Sequence, residues 1–259
     1  MSTKIELNNV CVDIPIYDAS TRSLKDKLFL KPVKNIINLN KNKVGGLLSN
    51  TTNNSITIRA LDGINLEYSD GDRVALLGHN GSGKTTLLRV IAGIYPPTSG
   101  SIKTFGRVMP LFNMMEGLSL DSKGVEAIKL RGSLLGLSET EIKEKISDIT
   151  EFCELGDYIN LPIRTYSTGM MVRLMFAITT CITSDILIMD EFIGAGDAAF
   201  FEKAQVRLKK FVDQSKILIV ATHSVETAKE WCNKAVLLDH GKIKISGSTD
   251  LVIKNFNLQ

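Results

Sequence analysis

The run Gly78-His79-Asn80-Gly81-Ser82-Gly83-Lys84-Thr85-Thr86 is where residue types and spacing most plainly imply chemistry. Glycines at 78 and 83, followed at once by Lys84 and Thr85, have the spacing of a phosphate-cradling loop. Glycine lets the backbone approach phosphate oxygens without a Cβ clash, and N–H groups at a following helix start face the anion. Lys84 would reach the β- and γ-phosphates of a nucleoside triphosphate, and the Thr85 hydroxyl would hold Mg²⁺. A second group, Asp190-Glu191, directly follows an apolar run. In a phosphate-transfer site Asp190 can bind Mg²⁺, usually through water, while Glu191 can polarise the attacking water. A third is Tyr166-Ser167-Thr168-Gly169-Met170. A serine with glycine at a helix start offers a hydroxyl and backbone N–H groups to an anion, and by itself is also an ordinary helix cap.

Each group needs an element that ends at it. Arg73-Val74-Ala75-Leu76-Leu77 reads as a short buried parallel strand, and Leu87, Leu88, Val90 and Ile91 have the spacing of a helix packed on it. Strand, glycine loop and helix are the context a phosphate site requires. Ile186-Leu187-Ile188-Met189 and Ile217-Leu218-Ile219-Val220-Ala221 read as two further buried strands, with helical stretches between. Upstream, Ile5 to Ile14 and Ser55 to Glu67 supply strand material, with Asp70-Gly71-Asp72 as a turn. Ser101 to Val108 reads as one strand, and residues 111 to 165 as mostly helical. Within that stretch Ser138 and Glu141 form a capping box ahead of Ile142, Ile146, Ile149 and Cys153 on one helical face. Val236 to Ile245 reads as a closing hairpin with its turn at His240-Gly241, before one short terminal helix.

With 259 residues, the chain suits one large α/β domain or a domain with a small subdomain. A formal charge of +3 is too small to argue for nucleic acid. Cysteines at 11, 153, 181 and 232 are scattered without a C-x-x-C pair, which indicates neither a zinc site nor a disulfide framework. No stretch approaches the ~20 apolar residues of a membrane span, so a membrane role would come through a partner. Residues 18 to 55 are an excursion in which Arg22, Lys25, Lys27, Lys31, Lys34, Lys41 and Lys43 alternate with Leu24, Leu28, Phe29 and Val33. This is either an amphipathic basic helix suited to an anionic surface or a partner, or a solvated loop packing back on the body. Gly45-Gly46 and Ser49 to Ser55 read as its flexible return.

The order of these motifs resembles an ABC-transporter ATPase subunit: Gly78–Thr85, Tyr166–Met170, Asp190-Glu191, Gly196-Asp197, then His223. The resemblance extends over nearly the whole chain. It is strongest to the branch that exports polysaccharides such as O-antigen, capsule or teichoic acid. Tyr-Ser-Thr-Gly-Met with Thr168 in place of a second glycine, Pro162-Ile163-Arg164, Ala195-Gly196-Asp197 and the long insert before the glycine loop carry that likeness.

That resemblance implies an α/β P-loop NTPase fold of the ABC type with an antiparallel β subdomain. The core would comprise 1–110 and 166–259, with a helical subdomain near 111–165. It implies ATP and Mg²⁺ as ligands, and a head-to-tail homodimer in which each ATP lies between Gly78–Thr86 of one chain and Ser167–Gly169 of the other. His223 would contact the γ-phosphate, and Asp197 would sit beside the opposite site. Two positions depart from the family pattern. Asn113 is the best candidate for the usual metal-bridging glutamine, one methylene shorter, and Tyr17 stands three residues past the usual adenine-stacking position, held here by Ile14. The function implied is ATP hydrolysis powering export of a lipid-linked polysaccharide through a separate integral membrane permease. The ATPase would act at the cytoplasmic face of the inner membrane, with no nucleic-acid partner and no carbohydrate-binding domain after residue 259. Export of another cargo, such as a lipid or drug, is the alternative. So is a soluble ABC ATPase acting on nucleic acid or ribosomes, although such proteins commonly carry paired ATPase units or long coiled-coil insertions.

Overall fold

Alternating apolar and polar residues build the first sheet, and uninterrupted apolar runs build the strands that follow it. The computed structural model describes residues 2–16, 47–50, 56–112, 114–115, 117–190 and 198–256. In chain order these form β1 (Lys4–Ile16), β2 (Leu47–Asn50), β3 (Ile56–Ser69), β4 (Arg73–Leu77), α1 (Lys84–Ile91), β5 (Ser99–Phe105) and β6 (Val108–Leu111). There follow α2 (Gly124–Leu134), α3 (Glu139–Cys153), α4 (Thr168–Thr180), β7 (Ile186–Asp190), α5 (Ala198–Gln214) and β8 (Ile217–Ala221). The chain closes with α6 (Val225–Trp231), β9 (Lys234–Asp239), β10 (Lys242–Ser248) and α7 (Thr249–Phe256). Two compact units result, one of Met1–Phe105 with Ile219–Gln259 and the other of Gly106–Leu218.

In the first unit, β2, β3, β1 and β5 make a four-stranded antiparallel sheet. Ile5 and Leu7 are buried on one face, while Lys4 reaches Glu6 and Glu67, each at 2.6 Å, on the other. This is the two-residue period of a half-buried strand. The second sheet of this unit runs in the order β10, β9, β4, β8. β4 pairs parallel with β9, and β9 pairs antiparallel with β10 through the His240-Gly241 turn. Val74 through Leu77 are all buried, as strands covered on both faces must be.

The second unit pairs β6 and β7 in parallel, from Val108 opposite Ile186 to Leu111 opposite Met189. The expected capping box opens α3. Ser138 Oγ accepts from the Glu141 N–H at 3.3 Å, and the Glu141 carboxylate accepts from the Ser138 N–H at 2.7 Å. Ile142, Ile149 and Cys153 are buried along that helix, with Ile146 half-buried between them. Phe152, Phe176 and Phe200 form an aromatic cluster where α3, α4 and α5 meet, with centroids 5.4 to 6.5 Å apart. Arg207 lies 4.3 Å over the Phe152 ring and forms a two-pronged pair with Asp148 at 2.6 and 3.2 Å.

Two local expectations change. Ser101 to Val108 is not one strand, because the chain breaks at Gly106, whose φ of 122° leaves the extended region. Of the expected flexible return only Ser49 and Asn50 lie among the described residues, and they belong to an edge strand, Leu47–Asn50, that pairs Leu47 with Arg59 and Asn50 with Ile56. The open edge of β3 would otherwise expose unpaired N–H and C=O groups. The basic segment 17–46 lies outside the described residues.

Candidate nucleotide-binding site

β4 ends at Leu77 and delivers the chain directly into the glycine loop, where Gly78 has φ 145°. A Cβ at Gly78 would come within 2.3 Å of the Leu238 carbonyl oxygen, and one at Gly83 (φ 108°) within 2.8 Å of the Ala60 carbonyl oxygen. The loop is thus pressed between β9 and β3, and only glycine fits at either point. Inside the loop, Ser82 N–H donates to the His79 carbonyl at 3.1 Å. The Lys84 ammonium donates to the carbonyls of Gly78 at 2.7 Å and His79 at 3.1 Å, so it lies across the loop it follows.

Three features of this loop fit a phosphate anion. α1 starts after Gly83, which has no side chain to cap the first-turn N–H groups. A buried ammonium faces the loop from the next residue. The Ser82 hydroxyl is fully buried, and its oxygen has no hydrogen-bond partner. A buried polar atom without a partner is costly, and an anion in the loop would relieve it. Thr85 and Thr86 sit on the first turn of α1, the former exposed and the latter half-buried.

His223 is placed by the strand next to β4. One residue past the end of β8, Thr222 N–H donates to the Leu76 carbonyl at 3.2 Å, two residues before Gly78. Ser224 then caps α6 by accepting from Thr227 N–H at 3.0 Å, which leaves His223 in an exposed position between anchored neighbours. The first unit therefore brings His223 to the same strand ends as the glycine loop.

The remaining described candidates belong to the second unit. Ser167 caps α4, accepting from Met170 N–H at 3.2 Å, and Ser167 and Thr168 are exposed. A Cβ at Gly169 would meet nothing closer than 3.8 Å, so this glycine leaves its surface open rather than relieving a clash. Asp190 is the last residue of β7 and is half-buried. Tyr17, Asn113, Glu191 and Asp197 lie outside the described residues.

Sequence reasoning found the His240-Gly241 turn but not what it touches. Gly241 N–H donates to the Ser82 carbonyl at 2.9 Å, and the Gly241 carbonyl accepts from Asp62 N–H at 2.8 Å. His79 Nε2 lies 3.0 Å from Asp239 Oδ1. The β9–β10 hairpin thus holds the glycine loop from its outer side, and Lys242 and Arg59 beside Asp62 hold that carboxyl below its ordinary range. A turn motif carries no sequence signal for such a contact.

A strand, a glycine-lined anion nest with a lysine, and a helix on a parallel sheet define a P-loop nucleotide-binding domain. Residues 61–194 match the ABC transporter family. The chain is 42% identical over 241 residues to the O-antigen export system ATP-binding protein RfbE of Yersinia enterocolitica, spanning 93% of this chain and 96% of that protein. It is 36% identical over 233 residues to the teichoic acids export ATP-binding protein TagH of Lactococcus lactis, spanning 90% of this chain but 49% of that one. Among solved structures, an ATP-binding subunit of an ABC transporter superposes with a TM-score of 0.64 at 24% identity, over 83% of this chain and 92% of the other. The dimeric cassette MJ0796 superposes with a TM-score of 0.63 at 19% identity, over 95% of this chain and 98% of the other. The chain belongs to the ABC transporter family and is its ATP-binding, ATP-hydrolysing domain, close to polysaccharide and teichoic-acid export ATPases.

Proposed function

We propose that this domain hydrolyses ATP to power export of a lipid-linked polysaccharide through a separate membrane permease. The observation supporting that branch is the 42% identity to an O-antigen export ATP-binding protein across nearly the full length of both chains. Relatives named for teichoic acid export match at 36% and 32%, which supports the broader cargo class of surface polysaccharides. None of the helices among the described residues is long and apolar enough to cross a membrane. In this reading the domain sits on the permease at the cytoplasmic face of the inner membrane.

In this reading the Gly78–Thr86 backbone cradles the phosphates, Lys84 neutralises the β- and γ-oxygens, and the buried Ser82 hydroxyl gains a partner. Thr85 and Asp190 would hold Mg²⁺, with Asn113 contributing an amide; the ion would screen the phosphate charge that repels an attacking water. Glu191 orients that water and His223 meets the γ-phosphate. Tyr17 packs against the adenine. Ser167, Thr168 and Gly169 of one protomer complete the site of its partner in a head-to-tail homodimer, with Asp197 beside the opposite site. Binding then closes the dimer and hydrolysis reopens it.

Two measurements test this. Glu191→Gln should abolish ATP turnover while retaining ATP binding; persistent turnover would remove Glu191 from the mechanism. Purification of the full chain from detergent-solubilised membranes of its own cells should recover a multi-span protein in equal ratio, with bound glycolipid. Recovery of ribosomes or soluble proteins alone would overturn the exporter reading and leave an ATPase with another task.

A further inference from the structure

The chain has three histidines, and two of them meet beside one carboxylate on the outer side of the glycine loop. His79 Nε2 is 3.0 Å from Asp239 Oδ1, and His240 Nε2 is 3.7 Å from the same oxygen. The three donor atoms all lie within 4.8 Å of one another. We propose that His79, Asp239 and His240 form a binding site for a transition-metal dication of the Zn²⁺, Ni²⁺ or Co²⁺ kind. The site is distinct in residues and ligand chemistry from one for Mg²⁺ on ATP.

The His79 ring is held at both of its nitrogens. Its Nδ1 lies 2.8 Å from the Asn80 carbonyl oxygen, and its Nε2 faces the Asp239 carboxylate. Both partners are acceptors, whereas a neutral imidazole carries one N–H. Whichever nitrogen carries that N–H, the other turns a lone pair toward an acceptor oxygen. With Nδ1 donating to Asn80, the Nε2 lone pair faces the Asp239 carboxylate, and a metal ion between them would satisfy both. A histidine whose far nitrogen donates to a backbone carbonyl is the usual outer support of a metal-bound imidazole.

The spacing and chemistry agree with this. Zn²⁺ bound tetrahedrally at about 2.0–2.2 Å from nitrogen and oxygen sets its ligands roughly 3.3–3.6 Å apart, between the two nitrogen–oxygen distances to Asp239. Two imidazoles and a carboxylate suit borderline dications, whereas Mg²⁺ favours an all-oxygen octahedron. The three side chains are between a third and a half exposed, so a metal can enter and water can complete its shell. His240 reaches this position because it occupies the hairpin turn at φ 46°, a left-handed conformation in which histidine is enriched. Lys244 approaches the other oxygen of Asp239 at 3.9 Å and leaves Oδ1 to the imidazoles. The proposal rests on these three side chains and not on what nucleotide or cargo the domain handles.

The test uses the full chain without a histidine tag, free of nucleotide and in excess Mg²⁺. Co²⁺ titration should give saturable visible d–d bands at one equivalent per chain, displaced by Zn²⁺. Imidazole ¹H–¹⁵N spectra should show Zn²⁺ moving the His79 and His240 ring nitrogens and leaving His223 in place. His240→Asn keeps a residue that tolerates φ 46° and should weaken Co²⁺ binding at least about tenfold, as should Asp239→Asn, which retains the turn entirely. Absence of saturable bands, unchanged affinity in both variants, or a response centred on His223 would each overturn the site.

Discussion

Gly241 N–H donates to the Ser82 carbonyl at 2.9 Å, tying the β9–β10 hairpin turn to the middle of the glycine loop. The loop is therefore held on both sides, by Ala60 and Leu238 against its glycines and by Gly241 along its backbone. Gly241 itself has φ 77°, and a Cβ there would come within 2.6 Å of the Ala60 carbonyl oxygen. Gly241→Ala should therefore cost about 1–3 kcal/mol of stability and weaken ATP binding. Denaturant melts with a titration of fluorescent nucleotide would measure both effects, and a variant with unchanged affinity would show that the hairpin is not a support for the loop.

Lys84 donates to two loop carbonyls and is buried, so its removal affects the loop as well as any bound phosphate. Lys84→Ala should lower ATP affinity roughly 10–100-fold, the equivalent of one charge-assisted hydrogen bond at about 1.5–3 kcal/mol. Isothermal titration against ATP and against adenosine would separate the parts. Adenosine affinity should stay the same.

Phe176 is 1% exposed and packs against Phe152 and Phe200. Truncating it leaves a cavity in the aromatic cluster joining α3, α4 and α5. Phe176→Ala should destabilise the second unit by about 3–5 kcal/mol, read as a lower denaturation midpoint. A loss under about 1 kcal/mol would mean that the cluster collapses to fill the space.

Asp185 accepts from Arg107 N–H at 2.9 Å and pairs with Lys216 at 2.7 Å, and these contacts hold its carboxyl below the ordinary value of 3.8. A depressed carboxylate contributes stability that is present above 3.8 and lost as pH falls through the lower folded value. Asp185→Asn should lower stability at neutral pH and flatten the acid limb of the stability curve. Equal slopes for the two proteins below pH 3.8 would remove Asp185 from the acid response.

Cys232 is buried, and burial pushes its thiol up to about 12. Thiolate is the reactive form, so Cys232 should resist maleimide in the folded protein and react on unfolding. Cys181, half-buried at the end of α4, should label ahead of it. Mass spectrometry of timed quenches would give the order, and early labelling at Cys232 would contradict its burial.

The glycine loop and the α3 capping box were legible because their bonds close within a few residues. Lys84 reaches back to Gly78 over six positions, and Ser138 meets Glu141 over three. Buried β4, β7 and β8 were legible for a similar reason, since a strand covered on both faces must be apolar throughout. The break at Gly106 was missed because a single glycine inside an alternating run does not declare its φ, and the edge strand at Leu47–Asn50 because four residues are too short a run to declare a two-residue period.

The sequence by itself determined that this chain folds around a phosphate-binding loop, because spacing along one stretch sets the geometry of that loop. Only the tertiary structure decided what surrounds it. His79 meets Asp239 across 160 positions, through a parallel pairing of β4 with β9 whose register no local pattern encodes. Sequence spacing governs contacts made along one element, whereas contacts between elements depend on how their apolar faces pack, and that packing places the hairpin against the loop.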